Sequence, residues 1–360
     1  MLNIDNPVFQ TIIFSILFFL IIIITGKKTS EKGLSFSYSD ELKGLAILMV
    51  IFGHAGYFLF SDHRFLFPLS TVSGVGVNIF LFLSGFGLTL SELKSKNSIF
   101  NFYKLRFKKI FTPMWTVLIL LLILDYFLLG KSYSAQTIIQ SFLGFFPQAD
   151  IYTSLDSPLW YFSLILFYYI IFPLVFWFRK PILSIVLMFL VSIVVILLPL
   201  PINKSVLVLY VLHILAFPLG MGLAVLLSKI PLINILQNFK AIFKYFIVVV
   251  SGIIFGYLAI NSGIGEGLMI EQLISLITMI ALFLVVLLIP FQSKFLIIFG
   301  IYSYEIYLIQ WPLVYRYDFL YKYLPASVAT FGYLFLYLLI AIGLNKLVKF
   351  IYSLQTSKTV

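Results

Sequence analysis

Eleven apolar runs, each close to the roughly 20 residues a helix needs to cross a bilayer, constrain this 360-residue chain more than any other feature. They fall near 8–25, 41–60, 73–91, 110–129, 158–178, 182–199, 205–227, 242–260, 271–290, 295–315 and 328–350. Lipid offers no water to backbone N–H and C=O groups, so each run must close its own hydrogen bonds as a helix. The predicted fold class is all-α: a polytopic membrane helix bundle of eleven transmembrane helices. Composition agrees, because charged residues make up only 10% of the chain, against about 25% in a soluble domain. The chain has no cysteine, which excludes a disulfide framework, a thiolate nucleophile and a Cys-based metal site.

The charges are sorted by side. The first run is preceded only by MLNIDNP and followed by Lys27 and Lys28, the reverse of a cleavable signal peptide. It reads as a retained span with its N-terminus outside. Threading the chain from there puts 19 of the 24 Lys and Arg residues on inner segments and 5 on outer ones, Arg64, Lys131, Lys204, Arg316 and Lys322. Cytoplasmic loops are enriched in this way, so the C-terminus is expected in the cytoplasm. The net charge of +11 is then a topology signal and not a nucleic-acid footprint. The longest outer segment, Gly130 to Ser157, carries an apolar patch, TIIQSFLGFF, suited to the membrane surface or a shallow dip into it.

Few polar residues lie within the runs, and an ionisable group inside a membrane is by default a functional-site hypothesis. The stretch ELKGLAILMVIFGH, Glu41 to His54, opens with charge and ends in an imidazole. Lys43 and His54 are eleven residues apart, about three helical turns plus 20°, so they share one face about 16 Å apart along the axis. Imidazole titrates near neutrality and can take a proton from a hydroxyl; the plainer alternative is a histidine bonded to a neighbouring helix. Lys43 is either part of a site or a side chain reaching the headgroups. Glu305, in IYSYEIYLIQWP, is expected near the middle of the tenth run, as a salt-bridge partner or as a catalytic partner of His54. His213 and Asp125 sit in or near span ends without a supporting pattern, and His63 in an outer loop. The inner segment KSKNSIFNFYKLRFKK, Lys94 to Lys109, sets Tyr103, Lys104, Arg106, Lys108 and Lys109 just before the fourth run. Inner-side bias and anionic lipid account for such a cluster, as does binding the phosphates of a nucleotide-bearing donor.

Taken together, these residues resemble the membrane acyltransferase-3 family of glycan O-acyltransferases. The family's opening helix carries an Arg, ten residues and a His; Lys43 through His54 keep that spacing with Lys in the Arg position. GVGVNIFLFLSGFGL (Gly74–Leu88), FYKLRFKKIFTPMW (Phe102–Trp115), PLWYFSLILFYYIIFP (Pro158–Pro173) and SYEIYLIQWPL (Ser303–Leu313) follow in the family's order. Three positions depart from it: Lys43, the pair Arg106-x-x-Lys109 where two arginines are common, and Gln310 where a His is frequent. The resemblance divides the chain into an additional span with a basic inner loop (1–37), a ten-helix acyltransferase-3-like membrane domain (38–352) and a cytoplasmic tail (353–360).

The resemblance implies acyl-CoA, most often acetyl-CoA, as cytosolic donor and a hydroxyl of a cell-surface polysaccharide or its lipid-linked precursor as acceptor. It places the protein in the plasma membrane, requires no metal and leaves the oligomeric state open. Lys43, Arg106 and Lys109 would bind CoA; His54 and Glu305 would be catalytic, by general-base attack or through an acyl-histidine. A transporter or flippase for a lipid-linked sugar is the competing class, although no inverted repeat or paired broken helices, features such folds show, are evident.

Overall fold

A computed structural model describes residues 2–28, 36–95, 98–148, 152, 154–156, 159–230, 235–236, 238–260 and 268–356. Lys32, Lys96, Pro158 and the last four residues of the tail, all used in the sequence reading, lie outside the described residues. A helix stands at each of the eleven predicted places. Eight are long and apolar enough to cross a membrane: Pro7–Ile24, Ser37–Leu59, Leu69–Lys94, Ile99–Leu129, Lys204–Lys229, Ala241–Ile260, Ile270–Leu288 and Ala326–Leu354. Two are shorter apolar helices, Trp160–Val175 and Pro181–Leu197. The tenth run differs from its expected form: it is two helices, Lys294–Ile301 and Ser303–Arg316, with a break at Tyr302.

The chain divides into two units. The first comprises Met1–Lys96, Val175–Leu200 and Val208–Ile301. Its helices are α1 (Pro7–Ile24), α2 (Phe36–His54), α3 (Ser73–Lys94), α7 (Pro181–Leu197), most of α8 (Lys204–His213), α9 (Ala216–Lys229), α10 (Ala241–Ile260), α11 (Leu268–Leu288) and α12 (Lys294–Ile301). At its centre is α2, where the seven consecutive residues Ala46 to Phe52 are all buried. Two full turns with no exposed face mark a helix surrounded by others. By contrast, α10 is exposed along nearly its whole length, its isoleucines, phenylalanines and valines facing outward as lipid-facing residues do.

Small residues set the spacing around α2. A Cβ on Gly44 would fall 1.9 Å from the Leu296 carbonyl oxygen, and one on Gly300 1.7 Å from that of Asp40. Thus α2 and α12 meet backbone to backbone, each through a glycine of its own. The same reciprocity joins α3 to α9, where Gly85 meets Phe217 and Gly220 meets Phe82. Apolar contact gives helices no advantage over lipid, so close backbone approach supplies the attraction.

The additional N-terminal helix is fastened at both ends. Phe14 and Phe18 each pack on Phe52 with ring centroids 5.3 Å apart. Thr11 Oγ1 accepts the Leu66 N–H at 2.8 Å. Just past the helix, Gly26–Lys28 pairs antiparallel with Phe291–Ser293, in register Gly26↔Ser293. This two-stranded pair is the one sheet among the described residues.

The second unit comprises Asn97–Leu174, Pro201–Leu207 and Tyr302–Val360. It holds α4 (Ile99–Leu129), α5 (Ala135–Phe142), α6 (Trp160–Val175, ending at the unit boundary), α13 (Ser303–Arg316) and α14 (Ala326–Thr356). Ser98 caps α4 by accepting the Asn101 N–H, and Gly130 closes it in the left-handed conformation, φ 62°, where a glycine carries no Cβ penalty. The predicted surface patch forms α5, begun by a Ser134 cap and held to α4 by the Trp115 indole N–H donating to the Phe142 carbonyl at 2.8 Å.

Candidate active site

In the first unit, Lys43 and His54 lie on the one continuous α2 that the spacing requires. Lys43 Nζ donates to Asp40 Oδ1 at 3.0 Å, both side chains partly exposed. A pair of this kind contributes about 0–1 kcal/mol, so Lys43 can exchange it for a phosphate at little cost. His54 is the last residue of α2. Immediately beyond it the chain widens into a π-helical turn, Ala55–Leu59, a local irregularity that recurs at functional sites. Close packing supports this turn: Gly53 leaves no room for a Cβ against Ser73, and Gly56 none against Ser70. His54 is partly exposed, and its ring lies 6.3 Å from that of Phe58.

The first turn of α3 also borders a second histidine. A Cβ on Gly74 would stand 3.5 Å from His213 Cε1. His213 Nδ1 is 2.8 Å from Asn78 Oδ1, whose Nδ2 donates to Ser275 Oγ at 2.8 Å. All three residues are buried. The sequence offered His213 without a supporting pattern; its partners Asn78 and Ser275 appear only in the fold.

In the second unit, Arg106 and Lys109 sit one turn apart on α4. The Arg106 guanidinium lies 5.8 Å from the Phe102 ring centroid and 5.6 Å from that of Tyr169. Aromatic flanking of this kind holds a guanidinium plane ready for bidentate contacts. Lys109 is exposed. Lys108 is engaged with Tyr352, its Nζ 4.3 Å from the ring centroid, while the Tyr352 hydroxyl donates to the Lys108 carbonyl at 2.7 Å. Tyr103 donates to the Ile170 carbonyl at 2.7 Å.

Glu305 was expected near the middle of the tenth run, which the structure breaks at Tyr302. It lies in the first turn of α13, just past the break at Tyr302. The side chain is buried, and its Oε1 accepts from Asn345 Nδ2 of α14 at 2.7 Å. The predicted residues are thus brought together in two sets: Lys43 with His54 on α2, and Arg106 with Lys109 on α4, in the unit that also holds Glu305.

Asp125, which the sequence reading set in or near a span end, and Arg316, which it set on an outer segment, form a buried ion pair at 2.7 Å. Tyr133 donates to Asp125 Oδ2 at 2.5 Å, and Tyr317 to Oδ1. Arg316 also donates to the carbonyls of Leu155, at 2.9 Å, and Ser154. Burial and the adjacent carboxylate push the Tyr133 and Tyr317 hydroxyls up, so both remain donors. Asp156 is buried beside this cluster, and among the described residues neither of its oxygens has a hydrogen-bond partner. Among the described residues no group of three or more His, Cys, Asp and Glu side chains could hold a metal ion.

Fold and buried polar groups define a multi-pass helical membrane protein that carries titratable groups within its spans. Its family follows from a family model described as "Acyltransferase domain", acyltransferase-3, which matches residues 36–346. The chain belongs to that family and is a membrane acyltransferase. The matched region starts at α2 and leaves α1 outside it. Neither the search of curated proteins nor that of solved structures returned a match.

Proposed function

We propose that the protein transfers an acyl group, acetyl in the first instance, from cytosolic acyl-CoA to a hydroxyl of a cell-surface polysaccharide or its lipid-linked precursor, in the plasma membrane. The observation that carries this reading is the Lys43–His54 helix, a cationic group and an imidazole on one face of a buried span inside the family region. His54 accepts the proton of the acceptor hydroxyl while the oxygen attacks the thioester carbonyl. The C–S bond of the resulting tetrahedral intermediate then breaks, and the imidazolium returns its proton to the departing CoA thiolate. Glu305 supports the positive charge that develops on the imidazole. Lys43, Arg106 and Lys109 bind CoA phosphates.

The test is transfer from acetyl-CoA by membranes or purified protein. General-base assistance accounts for about 10²–10⁴-fold, so His54→Ala should fall to the assay floor with insertion intact. Glu305→Gln should lose activity in part. If the two side chains act as a unit, the double variant is little worse than His54→Ala alone. Arg106→Ala and Lys109→Ala should raise the donor KM by roughly ten- to hundredfold, the loss of a charged phosphate contact of about 1.5–3 kcal/mol. Lys43→Arg should be tolerated. Substantial turnover by His54→Ala would overturn the mechanism.

A further inference from the structure

We propose that Tyr152 and Tyr315, backed by Trp311, form an acceptor subsite in the second unit that stacks a pyranose ring. This rests on the glycan-acceptor reading above and names the groups that would hold the sugar. Trp311 and Tyr315 are one helical turn apart on α13 and stack almost parallel, centroids 5.3 Å apart at 4°. Tyr152 meets Tyr315 at 5.0 Å and 63°. The rings of Tyr315 and Tyr152 therefore make the floor and wall of a corner. Trp311 is buried beneath it, while Tyr152 and Tyr315 are 36% and 37% exposed. The axial C–H bonds of a pyranose carry slight positive charge and pack on the electron-rich face of an aromatic ring, the complementarity that also orients edge-to-face aromatic pairs.

The corner is held in place beforehand. Arg316, next to Tyr315, donates to the Ser154 and Leu155 carbonyls, two and three residues beyond Tyr152. Asp125 neutralises that guanidinium, so the cluster presents little net charge to a ligand, as suits a neutral sugar. Tyrosines serving only as interfacial anchors would fill the same positions but would not bind a soluble sugar.

The full chain in lipid nanodiscs, without donor, is titrated with methyl β-D-glucopyranoside and methyl β-D-galactopyranoside, and binding is read from the intrinsic emission of its four tryptophans, Trp311 among them. Mannitol, with hydroxyls but no ring face, is the control. At least one pyranoside should bind saturably and mannitol should not. Tyr315→Leu should weaken binding by about three- to tenfold, and Tyr315→Phe, which keeps the ring face, by about twofold at most. If Tyr315→Leu does not fold, Tyr152→Leu takes its place with the same expectation. No saturable binding of either pyranoside, equal binding of mannitol, or unchanged binding by the leucine variant overturns the subsite. Because donor and turnover are absent, that failure is separate from failure of the acyl-transfer reading, which the His54→Ala assay decides.

Discussion

Asp125 and Asp156 are neighbouring buried carboxylates with opposite provision. Asp125 has a guanidinium and two phenol donors, whereas Asp156 has no bonded partner among the described residues. Burial pushes the Asp156 carboxyl well above its ordinary value of 3.8; Arg316 opposes the shift and Asp125 adds to it. The folded protein therefore keeps this proton at pH values where the unfolded chain has released it. The stability tied to the neutral carboxyl is complete below pH 3.8 and is lost as pH rises toward the folded value. Asp156→Asn keeps the shape and removes the titration. Relative to that variant, the thermal midpoint of the wild-type protein should fall as pH rises above 3.8, until the folded carboxyl has ionised. Parallel midpoint-versus-pH curves for the two proteins would show that Asp156 ionises normally. Removing the other side of the cluster is harsher: Arg316→Ala leaves Asp125 buried without its cation, a loss of about 3–5 kcal/mol, visible as poor accumulation of folded protein.

Between elements, the glycine contacts make the sharpest claim. A methyl group on Gly300 or Gly44 has backbone in its way, and neither helix can rotate without losing the reciprocal contact. Gly300→Ala should cost about 1–3 kcal/mol by forcing α2 and α12 apart, and should lower activity because α2 carries His54. Gly87→Ala, with nothing within 4 Å of the new methyl group, is the control that should match wild type in thermal melting and turnover. Equal behaviour of the two alanine variants would mean that this helix contact is looser than described. At this level the sequence was informative about helices and silent about their irregularities. Helix positions were legible because lipid permits little else across a long apolar run. The break at Tyr302 was hidden because no proline marks it, and the π-turn after His54 because nothing in AGYFL departs from a helical pattern. Glu305 was legible as a buried carboxylate but not as a first-turn residue, for the same reason. Pairings were less legible still. Asp125 and Arg316 are 191 residues apart, His213 and Asn78 135, and only the folded chain joins them.

At the scale of the whole molecule, the number of crossings turns on the broken pair α12 and α13 and on two short helices, which can be tested directly. With 16 and 17 residues, α6 and α7 reach about 24–26 Å at 1.5 Å per residue, against a hydrocarbon core of about 30 Å. A shortfall of that size is met by local thinning of the bilayer at modest cost. The alternative is that both helices enter and leave by the same face. Charge argues for crossing, because Arg179 and Lys180 lie between them and would otherwise face outward, against the bias that the other loops obey. The absence of cysteine makes a direct test clean. Single cysteines at Lys131, Arg179, Lys204 and Lys229 are probed in intact cells with a membrane-impermeant maleimide. With eleven crossings and an outer N-terminus, Lys131→Cys and Lys204→Cys react at once, whereas Arg179→Cys and Lys229→Cys react only after the membrane is opened. Labelling of Arg179→Cys from outside, with the other three as expected, would remove both short helices from the count. Reversal at Lys204 and Lys229 together would mean that just one of the pair crosses, and the cytoplasmic side assigned to the C-terminus would then be wrong.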